Sequence, residues 1–257
     1  MSLVDLNAER QRAIDSTFAQ ESENKGYVSW RGLLETFCAS YPLGYIDTLP
    51  KFKGKDIVQL GDDKVAELQD TRPYELLDVG CGTGRFLVDC FNRWSNQVKP
   101  SGITAYLYKI AFGPDNQPYD ISELINLYGI EITRGDAQRL TNYYPENHFD
   151  TVTAVHVTRY LADPWAMVRE IHKILRPKGI GSIAAFNPQF QRRGDDKLAN
   201  FLRNEYGWEI DQEGPTWNFA FEKKTDQLDL PIEVDGIGQE ELRGSTYAKV
   251  FYKLSGI

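Results

Sequence analysis

The stretch Leu76-Leu77-Asp78-Val79-Gly80-Cys81-Gly82-Thr83-Gly84 decides the fold. The apolar run that ends at Val79 predicts a buried strand, and the residues after Gly84 carry apolar side chains at helical spacing. Glycines at alternate positions let the main chain turn sharply and approach a ligand with no Cβ in the way. The free N–H groups at the start of the helix favour an anionic group. We therefore predict a ligand-binding strand-to-helix turn, with a tight turn that binds nothing as the alternative.

The glycine spacing separates the classes of ligand that such a turn binds. A dinucleotide fingerprint needs its third glycine where Arg85 stands, because Gly84 comes one residue too early. A phosphate-binding P-loop needs Gly-Lys followed by Ser or Thr, which is absent here. The spacing therefore disfavours an NAD-dependent oxidoreductase and a P-loop protein.

From residue 74 onward, apolar runs alternate with amphipathic segments, which is typical of a parallel sheet with helices on both faces. Further strands are predicted near residues 103–108, 130–133, 149–155 and 180–186. Asp163 and Pro164 begin a clear helix, and Pro177 and Gly179 end it. Segments 217–221 and 247–254 are interpreted as an antiparallel pair at the sheet edge. Residues 1–70 lack this alternation and are predicted to form an N-terminal helical cap, with the main domain at 71–257.

Three motifs in the correct order carry a resemblance to class I S-adenosylmethionine-dependent methyltransferases. The glycine turn resembles motif I of that family, and Gly135-Asp136-Ala137 with Leu140 resembles its G-D-A-x-x-L stretch. The third match runs from Phe149 to Gly179, with Lys178 in place of a usual glycine. The resemblance covers about residues 74–190. It implies an α/β fold with a seven-stranded, mostly parallel, doubly wound sheet. It also implies S-adenosyl-L-methionine as cofactor and S-adenosyl-L-homocysteine as product.

The resemblance also implies which residues contact the cofactor. In the family the aspartate at Asp136 accepts a hydrogen bond from the adenine amino group, and the N–H of Ala137 reads a ring nitrogen; the alternative is that Asp136 caps the next helix. Thr104 stands where the family has a ribose-binding acid, so either Thr104 or an acid from the following insert, Asp115 or Asp120, contacts the ribose. The remaining predicted contacts are Asp78, Gly80, Cys81, Gly82, Thr83, Gly84, His156 and Val157.

The methyl acceptor leaves fewer signals in the sequence. His156 follows the fourth strand, where it is either a general base or a packing residue against the cofactor. No N/D-P-P-Y motif follows that strand, and no metal-binding group of carboxylates is evident, so no metal is expected. The predicted acceptor contacts are Arg159, Tyr160, Asn187, Tyr27 and Trp30. We expect a small-molecule acceptor, with O-, N- or C-methylation all open.

Composition limits the rival functions. The net charge of −8 disfavours tight nonspecific binding to nucleic acid. Three cysteines give no disulfide framework, and no signal peptide or membrane span is evident, so we expect a cytoplasmic monomer or homodimer. The alternatives are an RNA or protein methyltransferase, and a noncatalytic partner protein that kept the fold.

Overall fold

The computed structural model describes residues 12, 49–69, 71–82, 84–105, 110–112, 118–120, 128–189, 195–213, 216–242 and 245–255. Most of the predicted cap, with Tyr27 and Trp30, lies outside the described residues, as do Thr83 and Asp115. One helix of that region is described, α1 (Ile57–Leu68). Asp56 caps it, accepting from the N–H groups of Val58 and Gln59.

Seven strands form the main sheet, and three further helices are described. The strands are β1 (Tyr74–Val79), β2 (Val98–Thr104), β5 (Glu131–Arg134), β6 (Phe149–Val155), β7 (Leu175–Phe186), β8 (Glu209–Glu213) and β9 (Thr216–Glu222). Two short strands, β3 (Ile110–Phe112) and β4 (Pro118–Asp120), pair with each other. The helices are α2 (Arg85–Trp94), α3 (Pro164–Ile174) and α4 (Asp195–Phe201), the last continued by a π-helical turn at Leu202–Tyr206.

The strand order is β5-β2-β1-β6-β7-β9-β8. The four pairings from β5 to β7 are parallel, and β9 runs antiparallel to both of its neighbours. β1 therefore lies in the middle of a parallel sheet, and all six of its residues are buried. The predicted fold class, a seven-stranded and mostly parallel α/β sheet, is confirmed.

Two predicted boundaries were wrong. β2 covers Val98–Thr104, about five residues earlier than predicted, so Thr104 is its last residue. β7 begins at Leu175, immediately after α3, so Pro177 and Gly179 lie within a strand instead of ending the helix. The residue before a proline avoids helical backbone, and that preference lets the chain leave the helix early and extend.

The predicted pairing of the tail was also wrong. Segment 217–221 lies within β9, between β7 and β8. Segment 247–254 lies within β11 (Ser245–Leu254), which pairs with β10 (Ile232–Leu242) in a separate antiparallel hairpin. Strands close in sequence commonly pair, as β10 and β11 do. The sequence did not predict β10, because this segment contains two glycines and four acidic residues and has no apolar run.

The buried carboxylate of Asp150, at the amino end of β6, links this strand to the chain before β1. Asp150 accepts two hydrogen bonds of 2.6 Å from the Arg72 guanidinium and one of 3.0 Å from the N–H of Glu75. Arg176 adds a contact of 3.1 Å. Burial is the largest single influence and raises the pKa of Asp150, but the hydrogen bonds from Arg72 and the N–H of Glu75, together with the charges of Arg72 and Arg176, outweigh it, so the net shift is downward. This end is structural, and the glycine turn lies at the opposite end.

Candidate active site

The glycine turn is held at the carboxyl end of β1 by the neighbouring strand. The N–H groups of Gly80 and Cys81 both donate to the carbonyl of Ile103 in β2, at 2.7 and 3.2 Å. Gly80, Gly82 and Gly84 have φ values of +76°, +57° and +77°. These values lie in the left-handed region, which glycine adopts at little cost. The sequence therefore forms this turn because its glycines accept the backbone that the turn requires.

Two of these glycines differ in what surrounds them. A Cβ on Gly80 would lie 2.8 Å from Val157 Cγ2, so this glycine lets the loop after β6 pack against the turn. Among the described residues, a Cβ on Gly82 would meet no atom within 4 Å. The main chain at Gly82 therefore borders open space. Gly84, the N-cap of α2, has no side chain that could accept hydrogen bonds from the first N–H groups of that helix.

Two more predicted contacts end the strands beside this turn. β2 pairs with β5 from Ser101↔Glu131 to Thr104↔Arg134, and the N–H of Gly135 donates to the carbonyl of Thr104 at 3.0 Å. Thr104 and Asp136 are both buried. The ends of β1, β2 and β5 thus place the glycine turn, Thr104 and Asp136 along one rim, which is where open α/β sheets bind ligands.

Asp136 has a structural role as well as a predicted binding role. Its Oδ1 accepts from the backbone N–H of Gln138 at 2.9 Å and from Gln138 Nε2 at 3.2 Å, so it caps the 3₁₀ turn Ala137–Asn142. Its Oδ2 lies 3.8 Å from Arg139 Nε, beyond hydrogen-bond distance. Ala137 takes the first position of the turn, where an N–H has no partner within the turn. Capping and adenine recognition are therefore compatible, because they use different groups.

Asp78 and Cys81 offer the site main chain more than side chain. Asp78 is buried, and its Oδ1 accepts from Thr153 Oγ1 at 2.8 Å, toward β6. The Cys81 side chain faces Gly102 in β2, because a Cβ built on Gly102 would lie only 2.5 Å from the Cys81 sulfur. Burial raises the pKa of the Cys81 thiol well above its ordinary value. Neither side chain is arranged as a nucleophile.

The loop that follows β6, residues 156–163, forms the other side of the rim, and we call it the β6 loop. His156 is exposed and has a φ of +56°, a strained value for a residue other than glycine. Arg159 Nη2 lies 2.7 Å from His156 Nδ1. Partial desolvation of the imidazole, and then the charge of Arg159, lower the pKa of His156.

This geometry argues against His156 as the general base. A guanidinium only donates hydrogen bonds, so Nδ1 must accept and the neutral ring carries its proton on Nε2. The nitrogen that could take a proton is therefore already occupied by Arg159. In this arrangement His156 accepts from Arg159 through Nδ1, and its other interpretation from the sequence, a packing residue against the cofactor, stays a prediction.

Tyr160 lies within this loop, and Asn187 lies next to it. Thr158 Oγ1 donates to the carbonyl of Ala185 at 3.0 Å and accepts from the N–H of Asn187 at 3.2 Å, which joins the β6 loop to the loop after β7. The Asn187 side chain accepts from the N–H of Gln189 at 3.1 Å, so its oxygen already serves the turn. The rings of Tyr160 and Tyr247 are 6.1 Å apart, edge to face.

Sequence reasoning missed residues that connect the two sides of the rim. Gln138 Oε1 accepts from the N–H of Asp163 at 2.6 Å, so the turn after β5 is tied to the β6 loop. Lys249 and Tyr252 of the hairpin also reach this loop. No short motif marks such contacts. The only signal was a polar residue at an otherwise apolar strand position, as at Lys249.

Within the described ranges, no three His, Cys, Asp or Glu side chains stand close enough together to bind a metal ion. None of the helices in that part of the chain combines the length and apolar character required to cross a membrane.

Comparison with known proteins agrees with this geometry. Residues 77–183 match the family described as Methyltransferase domain. Cycloartenol-C-24-methyltransferase of Arabidopsis thaliana is 33% identical over 107 residues, which are 40% of this chain and 28% of that protein. Malonyl-[acyl-carrier protein] O-methyltransferase of Halalkalibacterium halodurans is 24% identical over 134 residues, 51% of this chain and 46% of that protein. The chain thus spans less than half the length of either relative.

Solved structures give weaker similarity. The DszA carbon methyltransferase aligns with a TM-score of 0.48 and 11% identity over 65% of this chain and 52% of that one. The family assignment rests on the sequence match and the strand order. The match begins inside β1 and ends inside β7, so it covers the ends of β1, β2, β5 and β6 but not Asn187, which follows β7. The segment 77–183 is thus a methyltransferase domain of the class I S-adenosylmethionine-dependent superfamily, and a domain of this class implies S-adenosylmethionine as its cofactor.

Proposed function

We propose that this chain is an S-adenosylmethionine-dependent methyltransferase that acts on a small-molecule acceptor. One observation carries the proposal. The bare main chain at Gly82 borders open space on the same rim as Thr104 and Asp136, which end the next two strands. When bound, the cofactor supplies a methyl group on a sulfonium, ready for in-line displacement.

The residues of the rim fit that cofactor. The main chain of the glycine turn offers a surface without side chains, and the start of α2 offers N–H groups for a carboxylate. Thr104 offers a single hydroxyl to the ribose, where a carboxylate would accept two hydrogen bonds. Asp136 Oδ2 and the N–H of Ala137 offer an acceptor and a donor to the adenine edge. The Cys81 thiol is not expected to act as a nucleophile, because burial raises its pKa well above the ordinary value.

The acceptor would lie between this turn and the β6 loop. Val157 packs against Gly80, so the β6 loop reaches the cofactor side of the rim. Arg159, Tyr160 and Asn187 follow on the same loops. Because Nδ1 of His156 is occupied by Arg159, we assign most of the rate enhancement to proximity and orientation of the acceptor.

The nature of the acceptor is supported by composition and by the relatives. A net charge of −8 disfavours an RNA substrate. One relative is named as a C-methyltransferase and the other as an O-methyltransferase, so the atom that receives the methyl group stays open.

Two measurements test the proposal. Calorimetry should show that S-adenosylmethionine and S-adenosylhomocysteine bind at one site, and absence of binding would contradict the proposal. The enzyme is then incubated with tritiated methyl donor and the separated small-molecule, RNA and protein fractions of a cell extract. Label in the small-molecule fraction is expected. Label confined to RNA or protein would replace the proposed acceptor class.

A variant tests the role of His156. We expect His156→Ala to keep near-normal turnover with an unchanged pH dependence. A loss of turnover of about a hundredfold, the usual effect of removing a general base, would restore His156 to that role.

A further inference from the structure

The C-terminal hairpin, β10 and β11, lies outside the seven-stranded sheet but is docked on the site. Its backbone donates from Val250 to the carbonyl of Ala162 at 2.8 Å and from Tyr252 to the carbonyl of Gln189 at 3.0 Å. The Tyr252 hydroxyl also donates to Asp163, the cap of α3. The hairpin thus contacts both loops that border the proposed acceptor.

One residue of this hairpin is chemically unusual. Lys249 is 1% exposed. Burying an ammonium is costly unless its charge and its protons are satisfied. Lys249 Nζ donates to the carbonyl of Arg159 at 2.5 Å and to that of Leu161 at 2.9 Å. These two carbonyls lie on either side of Tyr160.

Two further groups complete the surroundings of this ammonium. Glu240, across the hairpin, places Oε2 3.6 Å from Lys249 Nζ and so provides the opposite charge. With the Gln189 amide turned so that both of its ends are satisfied, its oxygen accepts from Nζ at 3.3 Å and its nitrogen donates to the carbonyl of Val250 at 2.8 Å. The lysine therefore joins the hairpin, the β6 loop and the loop after β7 at one point.

We propose that Lys249 is the positioning residue of the β6 loop, and that the hairpin is a wall of the acceptor site. By holding the carbonyls of Arg159 and Leu161, its ammonium fixes the segment that carries Tyr160 and sets the Arg159 guanidinium against His156. Tyr247 of the same strand packs edge to face on Tyr160 and completes this wall. That the wall faces an acceptor rests on the proposed function, whereas the positioning does not.

The test uses the histidine as a reporter. The chain has three histidines, so proton NMR can follow each imidazole through a pH titration. Lys249→Met keeps the length of the side chain but donates nothing. The loop should then relax, Arg159 should leave Nδ1, and the pKa of His156 should rise toward its ordinary value. His172, buried against Phe221, should not move.

Lys253→Met is the matched control. Lys253 lies on the same strand, but its side chain is 54% exposed. We expect the His156 titration in this variant to match the wild type. A folded Lys249→Met variant with the wild-type titration would overturn the proposal, and so would an equal shift in Lys253→Met.

A measurement on the unmodified protein decides the matter if Lys249→Met does not fold. Reductive methylation followed by mass spectrometry should label Lys253 rapidly. The labelling rate of Lys249 should be at least about tenfold lower, because its ammonium is buried and donates hydrogen bonds to two backbone carbonyls. Equal labelling would overturn the proposal. Neither measurement needs S-adenosylmethionine or an acceptor, so failure of the methyltransferase proposal would leave this inference to stand or fall separately.

Discussion

Gly82→Ala tests whether the open space at the glycine turn belongs to a ligand. In the free protein the new methyl group would meet no atom of the described residues within 4 Å, so no steric cost is expected from that part of the chain. The φ of +57° is left-handed, which costs an alanine about 1 kcal/mol of stability. If the cofactor lies on this main chain, the methyl group occupies its space. The affinity for S-adenosylhomocysteine should then fall at least about tenfold, equivalent to about 1.4 kcal/mol.

Gly54→Ala provides the control for this change. Gly54 has a φ of +76°, and a Cβ there also meets nothing within 4 Å, but it lies in the turn before α1, away from the strand ends of the site. Urea unfolding should show a similar loss of stability for both variants, whereas calorimetry should show weaker binding only for Gly82→Ala. Wild-type affinity in Gly82→Ala, at matched stability, would refute the reasoning.

Three further predictions concern single side chains. Asp136→Asn should keep the cap on the turn, because its amide oxygen still accepts from Gln138, but it turns a donor toward the adenine; calorimetry should show about tenfold weaker binding of S-adenosylhomocysteine with little change in Tm. Burial, and then the charge of Lys223, lower the pKa of His172 to about 4. Because the unfolded chain then binds a proton that the folded protein does not, the free energy of unfolding should fall as the pH drops from about 6.5 to 4. Urea unfolding at several pH values should show a weaker dependence of that free energy on pH for His172→Gln than for the wild type. The pKa of Asp150 is lowered in the folded protein, so this group stabilises the fold above its unfolded pKa of about 3.9, and the stabilisation is lost in acid. Asp150→Asn should lower the free energy of unfolding by about 2 kcal/mol at pH 7. Urea unfolding of this variant should show a weaker dependence of that free energy on pH below about pH 4.

The parts of the fold that were predictable are local ones. The glycine turn needs residues that accept left-handed backbone, and its sequence names them directly. The start of α3 is likewise marked by Asp163, whose carboxylate accepts from the N–H of Ala166 at 2.9 Å. Thr104, which stands at the position of the family's ribose-binding acid, ends the second strand, although that strand begins five residues earlier than predicted. Such features depend on neighbours in the chain, so sequence patterns carry them.

The parts that were missed depend on contacts between distant residues. Lys249 contacts a carbonyl 90 positions away, and no periodicity or motif encodes that distance. The pairing of β10 with β11 was hidden because β10 is polar and glycine-containing. The pairing of Arg159 with His156 spans only three residues, but it occurs with a left-handed backbone at His156. A histidine in the sequence does not predict that backbone conformation. These are the contacts that shape the acceptor side of the site.

A crystal structure with S-adenosylhomocysteine tests the central claim most directly. The account predicts electron density along the main chain at Gly82, with the adenine amino group within hydrogen-bond distance of Asp136 and the ribose beside Thr104. Density for the ligand elsewhere, or a turn at Gly82 closed by side chains of the protein itself, would contradict it.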